Sequence, residues 1–376
     1  MNVLGCKTLG VQRIAVAVVA LMIATTVGIT LSPLSASSAE TRSAPVSMSF
    51  PTLDDGYIAE SDYLAHTVDA ARSWSVIRPG LGPIEQVQFL TPRDGFILTR
   101  KGLFSTTDGG STWKPSRSPR TMLTWISFAT LRDGWGLADG ALWSTADSGA
   151  TWKRVTTPTP AAMACFTSAR SGWIVNTSRV TASPVISETV DGGATWSNRQ
   201  IPVALERQTQ AGLLAPYQVA ALSCASPTTI WALIVPAGAG YAGGEGYGVY
   251  DSLNGGRTWQ LAGVNPARSD LPAAPGAQPD ALAVAGPSTT YLAASCGGCG
   301  FDGKTSVGVL RRGDTKWHLT PLKGVGFSYP VLMAFPMTSS GWALAVQPLF
   351  RTFRWRLFET QNDGNTWKMR AVFGSK

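Results

Sequence analysis

The carboxylates that could do acid–base chemistry recur in one short pattern, Thr-x-Asp-x-Gly-x-Thr-Trp, which is complete at Thr106–Trp113 and returns at Thr145–Trp152. A repeated carboxylate could in principle act as a general acid or base. The same residues also explain a turn, because Asp accepts hydrogen bonds from its own turn and Gly adopts a positive φ without a Cβ clash. We therefore predict that these acids build turns and do not catalyse. The turn positions are Asp69, Asp108, Asp147, Asp191, Asn254 and Asn362, and the closing residues are Trp74, Trp113, Trp152, Trp196, Trp259, Trp317 and Trp367.

The copies differ in ways that this mechanical interpretation accommodates. Asn254 and Asn362 replace the acid, and an amide oxygen accepts the same hydrogen bonds. Ala71 replaces the glycine of the first copy, so we expect strain there. The copy that ends at Trp317 has decayed and carries Arg312 and Asp314 at key positions.

Other catalytic and cofactor chemistry has little support in the residues. Only 2 histidines occur in 376 residues, which excludes most His-rich metal sites and disfavours a Ser–His–Asp or Cys–His hydrolase. No glycine-rich phosphate-binding loop is present. We predict no cofactor and no metal ion.

A second element precedes each copy of the pattern and indicates the fold. It is an apolar pair at alternate positions, then a turn, then an aromatic residue; Val87, Phe89 and Phe96 are one example. Glycine stands directly before five of the seven aromatic residues, at Gly56, Gly95, Gly134, Gly172 and Gly341. Alternating apolar residues predict short strands, four to a unit. Seven such units predict an all-β, seven-bladed β-propeller of four-stranded antiparallel blades over residues 40–376.

These residues resemble the Asp-box, or BNR, repeat of sialidases, xyloglucanases, sortilin-type receptors and the photosystem II assembly-factor family. The pairing of Gly134-Trp135 with Thr145–Trp152 looks most like the assembly-factor type. The resemblance covers residues 46–369 and implies a secreted seven-bladed propeller. It is specific for the fold and does not imply photosynthesis.

The N-terminal 39 residues have the order of an export signal. Lys7 and Arg13 precede an uncharged apolar run from Ile14 to Leu31, and the small residues Ser35–Ala39 follow. We predict a signal peptide over residues 1–39, with an uncleaved membrane anchor as the alternative. Either one places the propeller outside the cytoplasm, secreted or attached to the cell envelope.

The net charge and the fraction of charged residues indicate which class of partner the domain binds. Charged residues make up 14% of the chain, and the net charge of +8 falls to +6 when Lys7 and Arg13 are removed with the signal. A basic but sparsely charged domain favours weak attraction to anionic surfaces such as wall polymers or lipid headgroups. Nucleic acid is not expected, because no basic run with interleaved aromatic residues occurs. The 14 tryptophans exclude a disordered chain.

The positions of the insertions between repeats predict which face of the propeller binds a partner. The insertions fall at 197–218, 236–249, 261–280, 293–306 and 318–330. All belong to the face opposite the Asp-bearing turns, on blades four to seven. Loops of variable length on a rigid scaffold are a common binding surface.

The candidate contact residues on that face are of two kinds. Tyr241, Glu245 and Tyr247 lie in a glycine-rich stretch that suits sugar or protein contacts, or is simply a flexible loop. Arg351, Arg354 and Arg356 alternate with aromatic residues on a predicted strand and offer a basic edge for an anionic ligand, or a solvated strand face.

Four cysteines remain after removal of the signal, and an even number in an exported chain predicts disulfides. Cys165 and Cys224 occupy adjacent positions of equivalent strands, which point to opposite faces, so we expect them to join blade three to blade four. Cys296 and Cys299 could close a small ring; a redox or metal role for this pair is the alternative.

Two classes of function remain open. The first is a non-catalytic, monomeric binding or assembly propeller that presents its loop-rich face to an extracellular or envelope protein or glycan. The second is a sialidase-like glycoside hydrolase, which needs two carboxylates at suitable spacing. The innermost strands carry no charged residue, and only Glu85 and Asp280 lie just before such strands on the loop-rich face. The distance between these two carboxylates distinguishes the classes.

Overall fold

The seven-bladed β-propeller predicted from the repeats is confirmed. The computed structural model describes residues 45–116, 122–175, 183–203, 217–236, 247–265, 277–296, 305–312, 314, 317–325, 331–349 and 352–373. These residues form seven four-stranded antiparallel sheets. Strands within each sheet are hydrogen-bonded in chain order, so each blade is one continuous segment.

The first three blades are compact. Blade 1 contains β1 (Ser47–Ser49), β2 (Gly56–Ala59), β3 (Leu64–Thr67) and β4 (Ser75–Ile77). Blade 2 contains β5 (Ile84–Phe89), β6 (Gly95–Thr99), β7 (Gly102–Thr106) and β8 (Lys114–Pro115). Blade 3 contains β9 (Trp125–Phe128), β10 (Gly134–Ala138), β11 (Ala141–Thr145) and β12 (Lys153–Val155).

The last four blades include the longer strands. Blade 4 contains β13 (Met163–Phe166), β14 (Gly172–Val175), β15 (Val185–Thr189) and β16 (Ser197–Gln200). Blade 5 contains β17 (Tyr217–Cys224), β18 (Ile230–Pro236), β19 (Tyr247–Ser252) and β20 (Gln260–Asn265). Blade 6 contains β21 (Ala277–Val284), β22 (Thr289–Cys296), β23 (Thr305–Arg311) and β24 (His318–Pro321). Blade 7 contains β25 (Val331–Ala334), β26 (Gly341–Leu349), β27 (Thr352–Thr360) and β28 (Lys368–Phe373).

Packing between neighbouring blades closes the ring. The first strand of each blade contacts the first strand of the next, and β25 of blade 7 contacts β1 of blade 1. One hydrophobic cluster lies at each of the seven junctions; at the closing junction, Phe50 and Ile58 pack against Trp342 and Leu344. Among the described residues no strand is exchanged between the first and last blades, and side-chain burial stabilises the closed ring.

A phenylalanine at the end of the first strand explains the glycine before each aromatic residue. In blade 2, Phe89 lies opposite Gly95, and a Cβ at Gly95 would lie 2.5 Å from the phenyl ring. The same contact recurs in four other blades, at Phe50–Gly56, Phe128–Gly134, Phe166–Gly172 and Phe335–Gly341. In blades 5 and 6 the first-strand residues are Cys224 and Val284, and the opposite residues are Ile230 and Thr290. Glycine is therefore present where a phenyl ring occupies the space of its side chain.

The same phenylalanines stack on the neighbouring blade. Tyr57 of blade 1 lies 3.5 Å from Phe89 of blade 2, measured between ring centroids, and the rings are parallel. Four further junctions carry this stack, with centroid distances of 3.6–4.8 Å: Phe96–Phe128, Trp135–Phe166, Tyr291–Phe335 and Trp342–Phe50. The repeat of glycine and aromatic residue is thus an interface between blades.

Polar side chains join the innermost strands of the first three blades. The amide group of Gln88 donates to the carbonyl of Phe128 and accepts from its N–H, each at 2.9 Å. Gln86 forms the same pair of bonds with Ile126. Ser47 and Ser49 bond the backbones of Val87 and Phe89 in this way from blade 1 to blade 2. These side chains therefore form, with the first strand of the next blade, the backbone hydrogen bonds that an adjacent strand of a sheet would form.

The repeated acids build turns. In blade 2, Asp108 accepts hydrogen bonds from the N–H of Thr112 (2.9 Å), the hydroxyl of Thr112 (2.6 Å) and the hydroxyl of Thr106 (2.8 Å). Asp69, Asp147 and Asp191 have equivalent contacts. Asn254 keeps the bond to the N–H of Thr258 at 2.9 Å and donates its amide to that hydroxyl. Each fourth strand begins one residue after the tryptophan.

The two residues that follow each turn-building Asp or Asn have positive φ. In the first copy both of these residues are alanines, so strain is expected there. Ala70 and Ala71 have φ of 56° and 62°, where Gly109 and Gly110 of blade 2 have 73° and 87°. A non-glycine residue in this conformation costs roughly 1–2 kcal/mol, whereas the freedom that glycine adds to the unfolded chain costs about 0.4–1 kcal/mol.

We expect Ala71→Gly to raise the free energy of unfolding by about 0.5–1 kcal/mol, since the relief of strain exceeds the entropy cost. Urea denaturation measures this. Gly110→Ala at the same position of blade 2 is the matched control and should be destabilising, because its Cβ would lie 3.2 Å from Trp113. If the Ala71→Gly variant unfolds at a lower urea concentration than the parent protein, then Ala71 is not strained.

Acid should weaken the turns of blades 1–4 and spare those of blades 5 and 7. Hydrogen bonds to the carboxylate, first from the Thr112 hydroxyl and then from its N–H, lower the pKa of Asp108 to about 2; Asp69, Asp147 and Asp191 behave alike. A folded-state pKa below the unfolded value stabilises above the unfolded value, and that stabilisation is lost as pH falls through about 2. Asn254 and Asn362 do not titrate.

Hydrogen exchange of the box amides between pH 4 and pH 2 tests this expectation. After correction for the intrinsic rate, protection of Thr112 and Thr151 should fall, while protection of Thr258 and Thr366 should stay constant. Asp108→Asn is the matched control and should remove the pH dependence at Thr112 alone. An equal loss of protection in all of these turns would contradict a carboxylate origin.

The predicted signal peptide, residues 1–39, lies outside the described residues. Among the residues that are described, no helix has the length and apolar character needed to cross a membrane.

Candidate functional site

The antiparallel order of each blade defines two faces. The turn from first to second strand and the turn with the repeated acid lie on one face, here called the box face. The loop from second to third strand and the connection to the next blade lie on the other, the loop-bearing face. Each predicted insertion includes the end of a second strand (β18, β22) or of a fourth strand (β16, β20, β24), and those strand ends are on the loop-bearing face.

The tyrosine-rich stretch is only partly described. Tyr241 and Glu245 lie outside the described residues. Tyr247 begins β19, and its side chain is 1% exposed within the hydrophobic cluster between blades 5 and 6. The expectation that Tyr247 offers a surface for a partner is therefore wrong; burial of its ring stabilises the junction instead.

The arginines of blade 7 follow the predicted strand alternation. Trp355 is 2% exposed in the junction with blade 1, and Arg354 and Arg356 point to the other face of β27. Arg354 is exposed, whereas Arg356 donates to the carbonyl of Gly324, which follows β24 in the connection from blade 6 to blade 7. Burial, and then the positive charge of Arg354, lower the pKa of Arg356. Arg356 thus bonds the connection that leads into its own blade, and Arg351 lies outside the described residues.

The two candidate acids of a hydrolase lie within innermost strands and not before them, which corrects the sequence analysis. Glu85 interrupts the register between β5 and β6, and Asp280 interrupts it between β21 and β22. A bulge adds one residue to a strand and re-aims its side chain. Glu85 lies 3.6 Å from the guanidinium of Arg100. The side chain of Asp280 is outside what the structure describes, so the distance between the two acids stays untested.

The predicted disulfide between Cys165 and Cys224 is present, with Cα atoms 6.1 Å apart. It joins blades 4 and 5, not blades 3 and 4, because β13 and β17 are the first strands of the fourth and fifth sheets. Cys165 occupies the position of Ser49 and Gln88, which bond the next blade by side-chain hydrogen bonds. Cys296 ends β22 and Cys299 lies outside the described residues, so the second disulfide stays a prediction.

On the box face, one third-strand position carries a different residue in most blades. It lies directly opposite the aromatic residue of the second strand and is occupied, in chain order, by His66, Ser105, Ser144, Glu188, Asp251, Val309 and Glu359. The carboxylate of Glu188 pairs with Arg199 at 2.8 Å, and that of Glu359 bonds Arg370 at 2.6 Å. Asp251 accepts a hydrogen bond from the amide of Gln260 at 2.9 Å, and burial raises its pKa.

A cavity of about 310 Å³ lies on the box face between blades 3 and 4. Its walls include Trp135, Ser144 and Trp152 of blade 3 together with Ala169 and Gly192 of blade 4. The ring of Trp135 is 2% exposed and stacks on Phe166, and its indole N–H has no acceptor among the described residues. Sequence reasoning missed this feature, although alignment of the repeats shows Ser144 where blades 4 and 7 carry glutamate.

Within the described residues no cluster of three or more His, Cys, Asp or Glu side chains could hold a metal ion. The prediction that the chain binds no metal or cofactor is not tested by this finding, since much of the loop-bearing face lies outside those residues.

Comparison with known proteins identifies the fold. No protein-family description and no curated protein sequence matches this chain. Among solved structures, it is similar to the GH74 xyloglucanase from Xanthomonas campestris, with 10% identity, a TM-score of 0.52, and coverage of 86% of this chain and 67% of that one. It is similar to U3-55K, with 8% identity, a TM-score of 0.54, and coverage of 80% and 87%.

An ancestral GH74 enzyme also matches, with 14% identity and a TM-score of 0.49 over 78% of this chain; the chain spans 38% of that enzyme's length. At such identities a likeness concerns the backbone and not the function. The Asp-box family resemblance drawn from the sequence therefore stays a prediction, and what these comparisons establish is that the chain is a β-propeller.

Proposed function

We propose that this chain is a non-catalytic binding propeller that acts outside the cytoplasm and presents its loop-bearing face to a protein or glycan partner. The observation that carries the proposal is the use of polar groups along the innermost strands. Ser47, Ser49, Gln86 and Gln88 bond the backbone of the neighbouring blade. Side chains engaged in this way hold the ring together and are not available to a substrate.

The location outside the cytoplasm is supported by the Cys165–Cys224 disulfide. Disulfides persist in oxidising compartments and are rare in the cytosol. The predicted signal over residues 1–39 points the same way. The net charge of +6 predicted for the exported part favours an anionic partner, and Arg354 is the described, exposed arginine of the predicted basic edge.

Site-specific photo-crosslinking of the full-length, exported protein tests the binding face. A crosslinking residue at position 241 should capture a partner in the cell envelope, and Arg354→Ser should weaken the capture. The matched control is position 107, an exposed threonine of the box face. Equal capture from both positions, or from position 107 alone, would contradict the proposed face. A glycan array run with the same protein separates a glycan from a protein partner.

A glycoside hydrolase is the second candidate, and one observation favours it. Glu85 and Asp280 occupy bulges of innermost strands, in blades 2 and 6. Glycosidases use two carboxylates about 5–10 Å apart. Release of reducing sugar from envelope polysaccharides, abolished by both Glu85→Gln and Asp280→Asn, would replace the binding proposal with this one.

A further inference from the structure

We propose that the cavity between blades 3 and 4 is a binding site for one neutral pyranose ring, whose hydroxyl bonds the indole N–H of Trp135 and the carbonyl of Ala169. This site lies on the box face, opposite the face of the proposed function, and does not depend on it.

The cavity exists because two residues are small. In blade 4 the side chain of Glu188 extends over the box of blade 5 and lies 2.6 Å from where a Cβ of Gly255 would be. The equivalent residue of blade 3 is Ser144, which is too short to fill that space. At the junction of blades 2 and 3 the box residue is Ser148, which carries a side chain, but here it is Gly192.

At two other junctions a hydroxyl group donates to the carbonyl of the turn between the first and second strands. The hydroxyl of Tyr57 donates to the carbonyl of Pro92 at 3.0 Å, and that of Ser148 donates to the carbonyl of Leu131 at 2.6 Å. Ala169 is the corresponding turn residue of blade 4, and among the described residues no donor reaches its carbonyl. A ligand hydroxyl would supply the missing donor.

The buried indole N–H of Trp135 needs a hydrogen-bond acceptor. At the junction of blades 4 and 5, the indole N–H of Trp173 donates to the carbonyl of Gly255 at 3.4 Å. Trp135, Trp231 and Trp342 hold the equivalent position in their blades and have no such partner in the described part of the chain. Of these three, Trp135 is the one that lines the cavity. A buried donor without an acceptor costs about 1–3 kcal/mol. A hydroxyl can accept from the indole and donate to a carbonyl at once, which a carboxylate or an ammonium cannot do.

Size, walls and charge favour a sugar ring. The volume of about 310 Å³ falls at the lower end of small-molecule sites and has room for a single ring. Trp152, partly buried, offers an apolar wall for a ring face, and the polar walls include Thr145 and Thr151. Asp133 and Lys153 place one charge of each sign at the cavity, so a neutral ligand is favoured over an anion.

Binding of methyl hexopyranosides to the full chain tests the proposal. The probes are methyl β-D-glucopyranoside and methyl α-D-mannopyranoside, with methyl β-D-glucuronide as the charged comparison and glycerol as the non-ring comparison. Nuclear magnetic resonance of the indole N–H groups is the readout, because Trp135 reports the site directly. We expect millimolar affinity for a neutral pyranoside, a shift confined to Trp135 and Trp152, and weaker binding of glucuronide and glycerol.

Two variants and one control identify the contacts. Trp135→Phe removes the N–H but keeps a ring that can stack, since Phe96 holds this position in blade 2; it should weaken binding about tenfold, measured by saturation transfer to the sugar. Ser144→Gln fills the cavity as Glu188 does and should abolish binding. Trp173→Phe, the matched control, should leave affinity unchanged.

The proposal is overturned if no pyranoside shifts the Trp135 resonance, which would mean that ordered water alone fills the cavity. It is also overturned if binding persists in both Trp135→Phe and Ser144→Gln. Capture from position 241 should be the same in the Trp135→Phe variant, so failure of this site and failure of the loop-bearing face are separate results.

Discussion

The Gly95→Thr variant should lose about 3 kcal/mol of stability, and much of that loss should disappear when Phe89→Val is added. A Cβ at Gly95 would lie 2.5 Å from the ring of Phe89, so the single change overpacks a buried contact. Phe89→Val alone should also cost about 3 kcal/mol, because it leaves a void beside Tyr57. The double variant copies blade 6, where Val284 lies opposite Thr290.

Non-additivity is therefore the expected result of this cycle. The double variant should be more stable than the sum of the two single changes predicts, by at least about 1 kcal/mol. Urea denaturation of the four proteins gives the coupling energy. The matched control combines Gly95→Thr with Phe335→Val of blade 7, which does not contact it and should add its cost independently. A Phe89–Gly95 cycle that is additive would show that the phenyl ring is not the reason for the glycine.

Removal of the Cys165–Cys224 bond should be the other large loss. The disulfide spans 59 residues of sequence, and the entropy of closing a loop of that size corresponds to about 4 kcal/mol. Cys165→Ala with Cys224→Ala should lower the unfolding free energy by about that amount. Reduction of the parent protein should bring its urea midpoint close to that of the double variant.

A third variant distinguishes the effect of the covalent bond from the effect of a hydrogen-bonded link at the same position. In blade 2, Gln88 joins the next blade by two hydrogen bonds of 2.9 Å at the position equivalent to Cys165. Cys165→Gln with Cys224→Ala should therefore recover about 1–2 kcal/mol relative to the double alanine variant. If glutamine recovers nothing, then this junction differs from those of blades 1–3 in backbone separation, and the two kinds of link are not equivalent.

The repeats predicted much of the fold because each blade meets the same physical requirement. Four short strands per unit, the turn at Asp108 and its equivalents, and the pairing of Cys165 with Cys224 follow from residue types at fixed spacing. The predictions that fail concern the direction of a side chain and the start of a strand. Tyr247 looked like a contact residue and is buried, because its position in β19 turns the ring toward blade 6. Glu85 and Asp280 were placed outside strands that bulges extend to include them.

By itself the sequence determined the number of blades, their order and the structural role of the acids, because local hydrogen bonds and alternating apolar residues are encoded within each unit. Apart from the disulfide, only the tertiary structure decided what lies between the blades. The stack of Tyr57 on Phe89, the bonds of Gln88 and the cavity beside Trp135 each join residues of different units. Which residues meet across a junction depends on how neighbouring sheets pack, and no spacing within one repeat contains that information.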